Sequence, residues 1–153
     1  MKQKVKGRDV GTYETLNEVL VSLFRDINDI EEKAVITSEF GDITNNDMHV
    51  MDAIGIDTPK NMSSIARELN VTVGTLTISM NSLVKKGYVV RQRSSEDRRV
   101  VFISLSEKGV KAFYHHKKFH ERMINGVVEE LTEEELTALV KALTKLNSWF
   151  RSF

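Results

Sequence analysis

Residues 63–109 read SSIARELNVTVGTLTISMNSLVKKGYVVRQRSSEDRRVVFISLSEKG, and this stretch constrains the fold more than any other. Ser63 can cap a helix that buries Ile65, Ala66 and Leu69. Asn70-Val71 makes a turn, and Thr72 can cap a second helix that ends at Gly87. Residues 88–93 and 100–105, rich in Val, Tyr, Phe and Ile, read as two strands around a polar tip. The order is helix, turn, helix, ribbon. Such a winged helix-turn-helix lays one helix in the major groove of double-stranded DNA.

Wound at about 100° per residue, the second of these helices turns Val73, Leu76, Met80 and Leu83 inward. Gly74, Thr75, Ile78, Asn81, Ser82 and Lys85 then point outward, with Thr77 and Ser79 on the flanks. A solvated helix normally shows Glu and Lys on that face. Here small and hydroxylated groups dominate until Lys85, which allows close approach to a groove. Thr hydroxyls and Asn81 can bond base edges or phosphates, and Ile78 can touch a thymine methyl. The plainer reading is an amphipathic helix with a poor surface. The ribbon carries Arg91 and Arg93 and ends in Ser94-Ser95-Glu96-Asp97-Arg98-Arg99. Asp97 can orient a neighbouring arginine toward a narrow, negative minor groove. A surface ion-pair cluster, worth little, is the plainer alternative.

A chain of 153 residues predicts one compact subunit. It has no cysteine, so disulfides, thiolate metal sites and cysteine nucleophiles are excluded, in keeping with a cytoplasmic location. No apolar run approaches the ~20 residues of a membrane span, and the basic start lacks the apolar core of a signal peptide; no membrane partner is expected. The net charge of zero argues against generic nucleic-acid binding, but its distribution does not. Residues 63–105 hold seven basic and three acidic residues, a local +4, while acid gathers at Glu129, Glu130 and residues 133–135.

The remaining pattern is helical. Residues 1–11 read as a disordered basic tail. A helix over 12–36 carries the stripe Leu16, Val19, Leu23, Ile27, Ile30 and Ala34. Thr44 and Asp47 open another, with Met48, Met51 and Ile54 inward. Ser106 begins a fifth, running to about residue 130, and Thr132 with Glu135 forms a capping box for a sixth. That last helix carries Leu136, Leu139, Leu143, Leu146, Phe150 and Phe153, a seam of coiled-coil type. The expected fold is mostly α (α+β), with six helices and a two-stranded β-wing. Residues 44–106 form the DNA-binding domain; 12–43 and 107–153 form a helical dimerisation region. Two long seams at opposite ends predict a homodimer; the alternative is that they cover each other within one chain.

Asp97, Arg99, Leu105, Ser106 and Gly109 match the DxR…L(T/S)xxG signature, and the chain resembles the MarR family of bacterial winged-helix regulators throughout its length. Ser106 stands where threonine is more usual; both can cap. The resemblance implies a homodimer with interlocked terminal helices and two recognition helices in successive major grooves of a pseudo-palindromic operator. It implies that Arg99 enters the minor groove and Asp97 positions it. MHVMDAIG, VTVGTLTISMNSLVKKGY, RSSEDRRVV and KKFHERM look like the fatty-acid-synthesis repressors of Gram-positive bacteria within this family. Those relatives imply acyl-loaded acyl carrier protein as corepressor. The basic run Lys108, Lys111, Lys117, Lys118 and Arg122 could dock an acidic carrier protein; an ordinary solvated face is the alternative. A regulator released by a small lipophilic or aromatic ligand is the second functional reading, and a dimeric module that does not bind DNA the third.

The family places its effector pocket among the first, second and fifth helices, which draws attention to His49, Lys111, His116 and His120. His116 and His120 are spaced i, i+4, which can bind a metal. No cysteine or aspartate stands nearby in sequence, although His49 or a carboxylate could join in three dimensions; histidines packed at a helix interface or pocket with satisfied hydrogen bonds are the expectation, with no metal and no cofactor. There is no phosphate-cradling glycine loop, nucleophile elbow or metalloprotease pair, so no catalytic residues are expected.

Overall fold

The computed structural model describes residues 10–152. The helices and strands run α1 (Val10–Val35), α2 (Asn45–Ile54), β1 (Lys60–Asn61), α3 (Met62–Glu68), α4 (Val73–Lys85), β2 (Val89–Arg93), β3 (Val101–Leu105), α5 (Glu107–Glu130) and α6 (Glu133–Phe150). Six helices and a small antiparallel sheet make the winged helix-turn-helix that the pattern predicts. The chain divides into two compact bodies, Met1–Phe113 and Tyr114–Phe153. The lysines and arginine of the basic tail, and Phe153 at the end of the last stripe, lie outside the described residues.

Two expectations are corrected. The sheet has three strands, in the order β1-β3-β2. Lys60 and Asn61 pair with Ile103 and Phe102 across more than forty residues, and two residues carry no readable alternation. Second, Ser63 does not cap α3. Asn61 does so: its Oδ1 accepts from Ser64 N at 2.8 Å, which leaves Ser63 inside the first turn. Asn61 thus ends a strand and starts a helix at once.

Elsewhere local signals hold. Thr44 forms a full capping box with Asp47 at the head of α2. Gly55, with φ of 71°, closes that helix in a backbone region that L side chains avoid. α1 opens at Val10, two residues earlier than expected.

The core of the first body gathers Val35, Phe40, Met48, Met51, Ile65, Leu76, Met80, Leu83, Tyr88, Ile103 and Ala112. Leu76, Met80 and Leu83 fill it from α4, whereas Val73, expected inward, is 43% exposed at the helix start. Emptying a site such as Leu83 by substitution to Ala costs about 2–5 kcal/mol. The α1 stripe is largely open, Leu16, Val19, Leu23 and Ile30 all being exposed.

In the second body, Thr132 and Glu135 form the predicted capping box, with Glu135 N bonded to Thr132 Oγ1 at 3.3 Å and Thr132 N to Glu135 Oε2 at 2.9 Å. The bond from Thr132 N holds the Glu135 carboxyl below its usual pKa. No described residue of α6 is buried, and Leu139, Leu143, Leu146, Trp149 and Phe150 are exposed.

Candidate nucleic-acid interface

The turn before α4 sets the direction of that helix. Asn70 takes φ of 54°, the left-handed region that Asn tolerates. The chain then folds back so that Val71 N bonds Ala66 O at 3.0 Å. Thr72 caps α4 by accepting from Thr75 N at 3.1 Å, and its hydroxyl also lies 2.9 Å from that of Thr75. With Leu76, Met80 and Leu83 anchored in the core, Gly74, Thr75, Ile78, Asn81 and Lys85 are exposed, while Ser82, Thr77 and Ser79 are half-buried. Ile78 is 74% exposed, far beyond what a core-facing isoleucine shows.

Several of these polar groups already have partners. Thr77 Oγ1 donates to Val73 O at 2.7 Å, which leaves that oxygen only as an acceptor toward any other partner. Asn81 Oδ1 accepts from Arg91 Nη2 at 2.7 Å, a bond from the wing strand to the helix. Asn46 Nδ2 reaches Ser79 Oγ at 3.5 Å, the limit of a useful contact. Gly74 needs no special backbone angle: a Cβ there would meet only Thr72 Oγ1, at an ordinary 3.8 Å. Its lack of a side chain therefore has no explanation in the packing of the chain itself. Ser63 is exposed in the first turn of α3.

The wing pairs β2 with β3 in register, Arg91 opposite Ile103 and Arg93 opposite Val101. Its tip is pinned by Ser94 N to Val100 O and Val100 N to Asp97 O, both 2.9 Å. Asp97 Oδ1 accepts from Arg99 N at 3.0 Å and from Arg99 Nε at 3.2 Å. The bond from the Arg99 backbone, then that from its guanidinium, holds the Asp97 carboxyl below its usual pKa. The Arg99 side chain is itself 91% exposed, oriented at its base and open at its end. Arg91, Arg93 and Arg98 are exposed beside it.

Behind this surface lies an anchor that spacing does not reveal. Tyr88, fully buried, donates its hydroxyl to Asp42 Oδ1 at 2.6 Å. Burial first, and the Asp42 carboxylate second, raise the Tyr88 phenol far above its usual pKa; the Tyr88 bond in turn lowers that of Asp42. Lys108 bonds Asp42 Oδ2 at 3.4 Å and Lys86 O at 3.1 Å, and its ammonium sits 4.0 Å from the Tyr88 ring centroid. Ser106 Oγ donates to Gly87 O at 2.6 Å and accepts from Gly109 N at 3.1 Å. A Cβ on Gly109 would fall 2.1 Å from Tyr88 O, so the close approach of α5 to β2 demands glycine there.

Two basic residues are consequently not free. Lys86, counted in the local +4, is paired at 3.0 Å with the buried Asp47. Lys108, read as part of a docking run, is tied into the Tyr88–Asp42 anchor, and Lys111 lies 3.9 Å from Glu107. Lys117, Lys118 and Arg122 remain exposed. Among the effector candidates, exposed His49 places Nε2 3.9 Å from Oε2 of buried Glu31, which Asn45 Nδ2 also approaches at 3.4 Å. In the second body, His116 and His120 bring their Nε2 atoms to 3.1 Å, with rings edge-on at 4.4 Å, and Phe119 lies 5.3 Å from His120.

Known proteins resemble this chain. The family described as transcriptional regulator SarA/Rot matches residues 33–116, more than half the chain. Streptococcus pneumoniae FabT, solved in complex with DNA, is 39% identical, with a TM-score of 0.87 over 92% of this chain and 98% of that one. The HTH-type transcriptional regulator YpoP of Bacillus subtilis is 27% identical over 145 residues, 94% of this chain and 97% of the relative. PchR of the same organism is 28% identical over 104 residues; the match covers 66% of this chain but only 62% of PchR.

Proposed function

Because the chain belongs to the winged-helix transcriptional regulators of MarR type, we propose that it is a sequence-specific repressor that binds a pseudo-palindromic operator as a homodimer. The observation that carries this reading is the outer face of α4, where exposed Ile78 and small polar groups stand free of acid, flanked by the wing arginines. Gly74, Thr75, Thr77, Ile78, Ser79, Asn81 and Ser82 enter the major groove. Ser63, Thr72, Lys85, Arg93 and Arg98 contact backbone or groove edge, Arg91 works beside Asn81 in the groove, and Arg99, held by Asp97, reaches into the minor groove. The open seams of α1 and α6 meet a second copy, which sets two α4 helices about one turn of DNA apart.

The regulated genes are those of fatty-acid biosynthesis, and the corepressor is acyl-loaded acyl carrier protein. The support is the likeness of four segments to the fatty-acid-synthesis repressors and 39% identity to FabT over nearly the whole chain. Since Lys108 is committed to Asp42, the carrier protein meets Lys117, Lys118 and Arg122, with Lys111 at the margin. His49, His116 and His120 serve the effector response.

Gel shifts test both levels. The chain should prefer a selected palindromic duplex over random DNA by at least the ~10³-fold ratio typical of specific binding; no preference would sink the operator reading. Acyl-loaded carrier protein should then tighten the shift. An unchanged shift with carrier protein, together with release by a small lipophilic or aromatic compound, would replace the corepressor by the second reading.

A further inference from the structure

The bond between wing and recognition helix has a consequence for base choice, resting on the DNA-binding reading above. We infer that Arg91 fixes the hydrogen-bonding polarity of Asn81, so that the pair reads guanine rather than adenine. An asparagine amide carries one acceptor and one donor group, and in a major groove its usual match is adenine, accepting from N6 and donating to N7. That match needs a free carbonyl.

Here Asn81 Oδ1 accepts from Arg91 Nη2 at 2.7 Å. A guanidinium has only donors, so the amide atom facing it must be the oxygen, whichever way the amide would otherwise turn. The bond is charge-assisted, and both residues are exposed, so it stands on the open face. What remains pointing outward is Asn81 Nδ2 and the unused N–H groups of Arg91. Both are donors.

The neighbourhood offers nothing to reverse this. α4 contains no Asp or Glu, and the outward residue one turn on is Lys85, another donor. Guanine presents N7 and O6, two adjacent acceptors, to the major groove. Adenine and cytosine each present an amino donor, which opposes this pair. The residues thus divide their roles: Asn81 supplies the reading donor, and Arg91 determines which end of Asn81 does the reading.

Selection from randomised duplexes, followed by sequencing, tests this with the full chain and three variants. The unaltered protein should select guanine at one position in each half-site. Asn81→Ala should lose that preference, by about 5- to 100-fold as expected for one base contact, with other positions retained. Arg91→Met removes the guanidinium but keeps an unbranched stem, and preference at the same position should turn toward adenine. Asn81→Asp keeps the bond to Arg91 but lacks the donor, so guanine should be lost there. A circular dichroism melt confirms that each variant folds.

Uniform weakening in Arg91→Met, with unchanged base preferences and a salt slope smaller by about one, would make Arg91 a phosphate ligand and overturn the inference. So would adenine at the Asn81 position in the unaltered protein. Selection of no sequence at all would overturn the operator reading along with this one.

Discussion

α4 and α6 each leave a whole face open, and the two faces have opposite chemistry. α4 shows Gly74, Thr75, Ile78 and Asn81, with arginines alongside; α6 shows Leu139, Leu143, Leu146, Trp149 and Phe150. Exposure alone names no partner. Fully covering a Leu or Phe on α6 is worth roughly 1.5–3 kcal/mol, so that face gains by meeting another apolar face. The α4 face has little apolar area to bury. Against a nucleic acid its gain would come from base-edge hydrogen bonds and from counterions released by the surrounding cations, and would therefore depend on salt. One surface suits a second copy of the chain, the other a polyanion.

Charging the α6 seam should give the largest effect. Leu143→Asp with Leu146→Asp should reduce the mass in sedimentation to that of one chain at micromolar concentration. Operator affinity should fall by two orders of magnitude or more, because two half-sites are no longer bound together. A dimer that survives this change would break the contrast. Next comes the wing. Arg99→Ala should weaken operator binding more than tenfold and reduce the salt slope by about one, with no change in mass. An unchanged affinity would remove the wing from the interface.

A smaller effect falls on the Tyr88–Asp42 anchor. Tyr88→Phe should cost about 1–2 kcal/mol in a denaturant titration, since it leaves Asp42 without its hydroxyl partner. The direction with pH follows from the shifts. Tyr88 is raised, so its contribution is present below the ordinary phenol pKa and is lost as pH climbs through the raised value. Asp42 is lowered, so its contribution is present above the ordinary carboxyl pKa and is lost as pH falls through the lowered one. In an alkaline absorbance titration, the ionisation that disappears in Tyr88→Phe should lie above the usual phenol range; a loss within that range would contradict the anchor. The smallest effect belongs to Gly74→Ala. It should leave stability level or raise it by up to about 1 kcal/mol, yet weaken operator binding if α4 needs a bare backbone against the groove. Tighter binding would mean that the DNA does not approach there.

The same two helices show what was legible. The α4 outer face follows from helical period alone, and the caps Thr44, Thr72 and Thr132 follow from contacts three residues long. Ser63 misled because Asn61, two positions earlier, took the cap while also pairing with Phe102 in β1. Gly109 was legible as a signature residue, but its reason, the carbonyl of Tyr88, was not. Lys86 and Lys108 read as surface charge in the sequence, whereas Asp47 and Asp42, far away along the chain, lie beside them in the fold.

Local sequence pattern suffices for the helix-turn-helix and wing, the polar outer face of α4, the apolar seam and the Asp97–Arg99 pair. Each rests on contacts or periodicities a few residues long, which backbone geometry enforces wherever the segment lies. The pairing of Lys86 and Lys108, the need for Gly109 in α5 and the hold of Arg91 on the oxygen of Asn81 arise only in the folded chain. Those depend on groups brought together from ten to more than sixty positions away, and no local rule sets such distances.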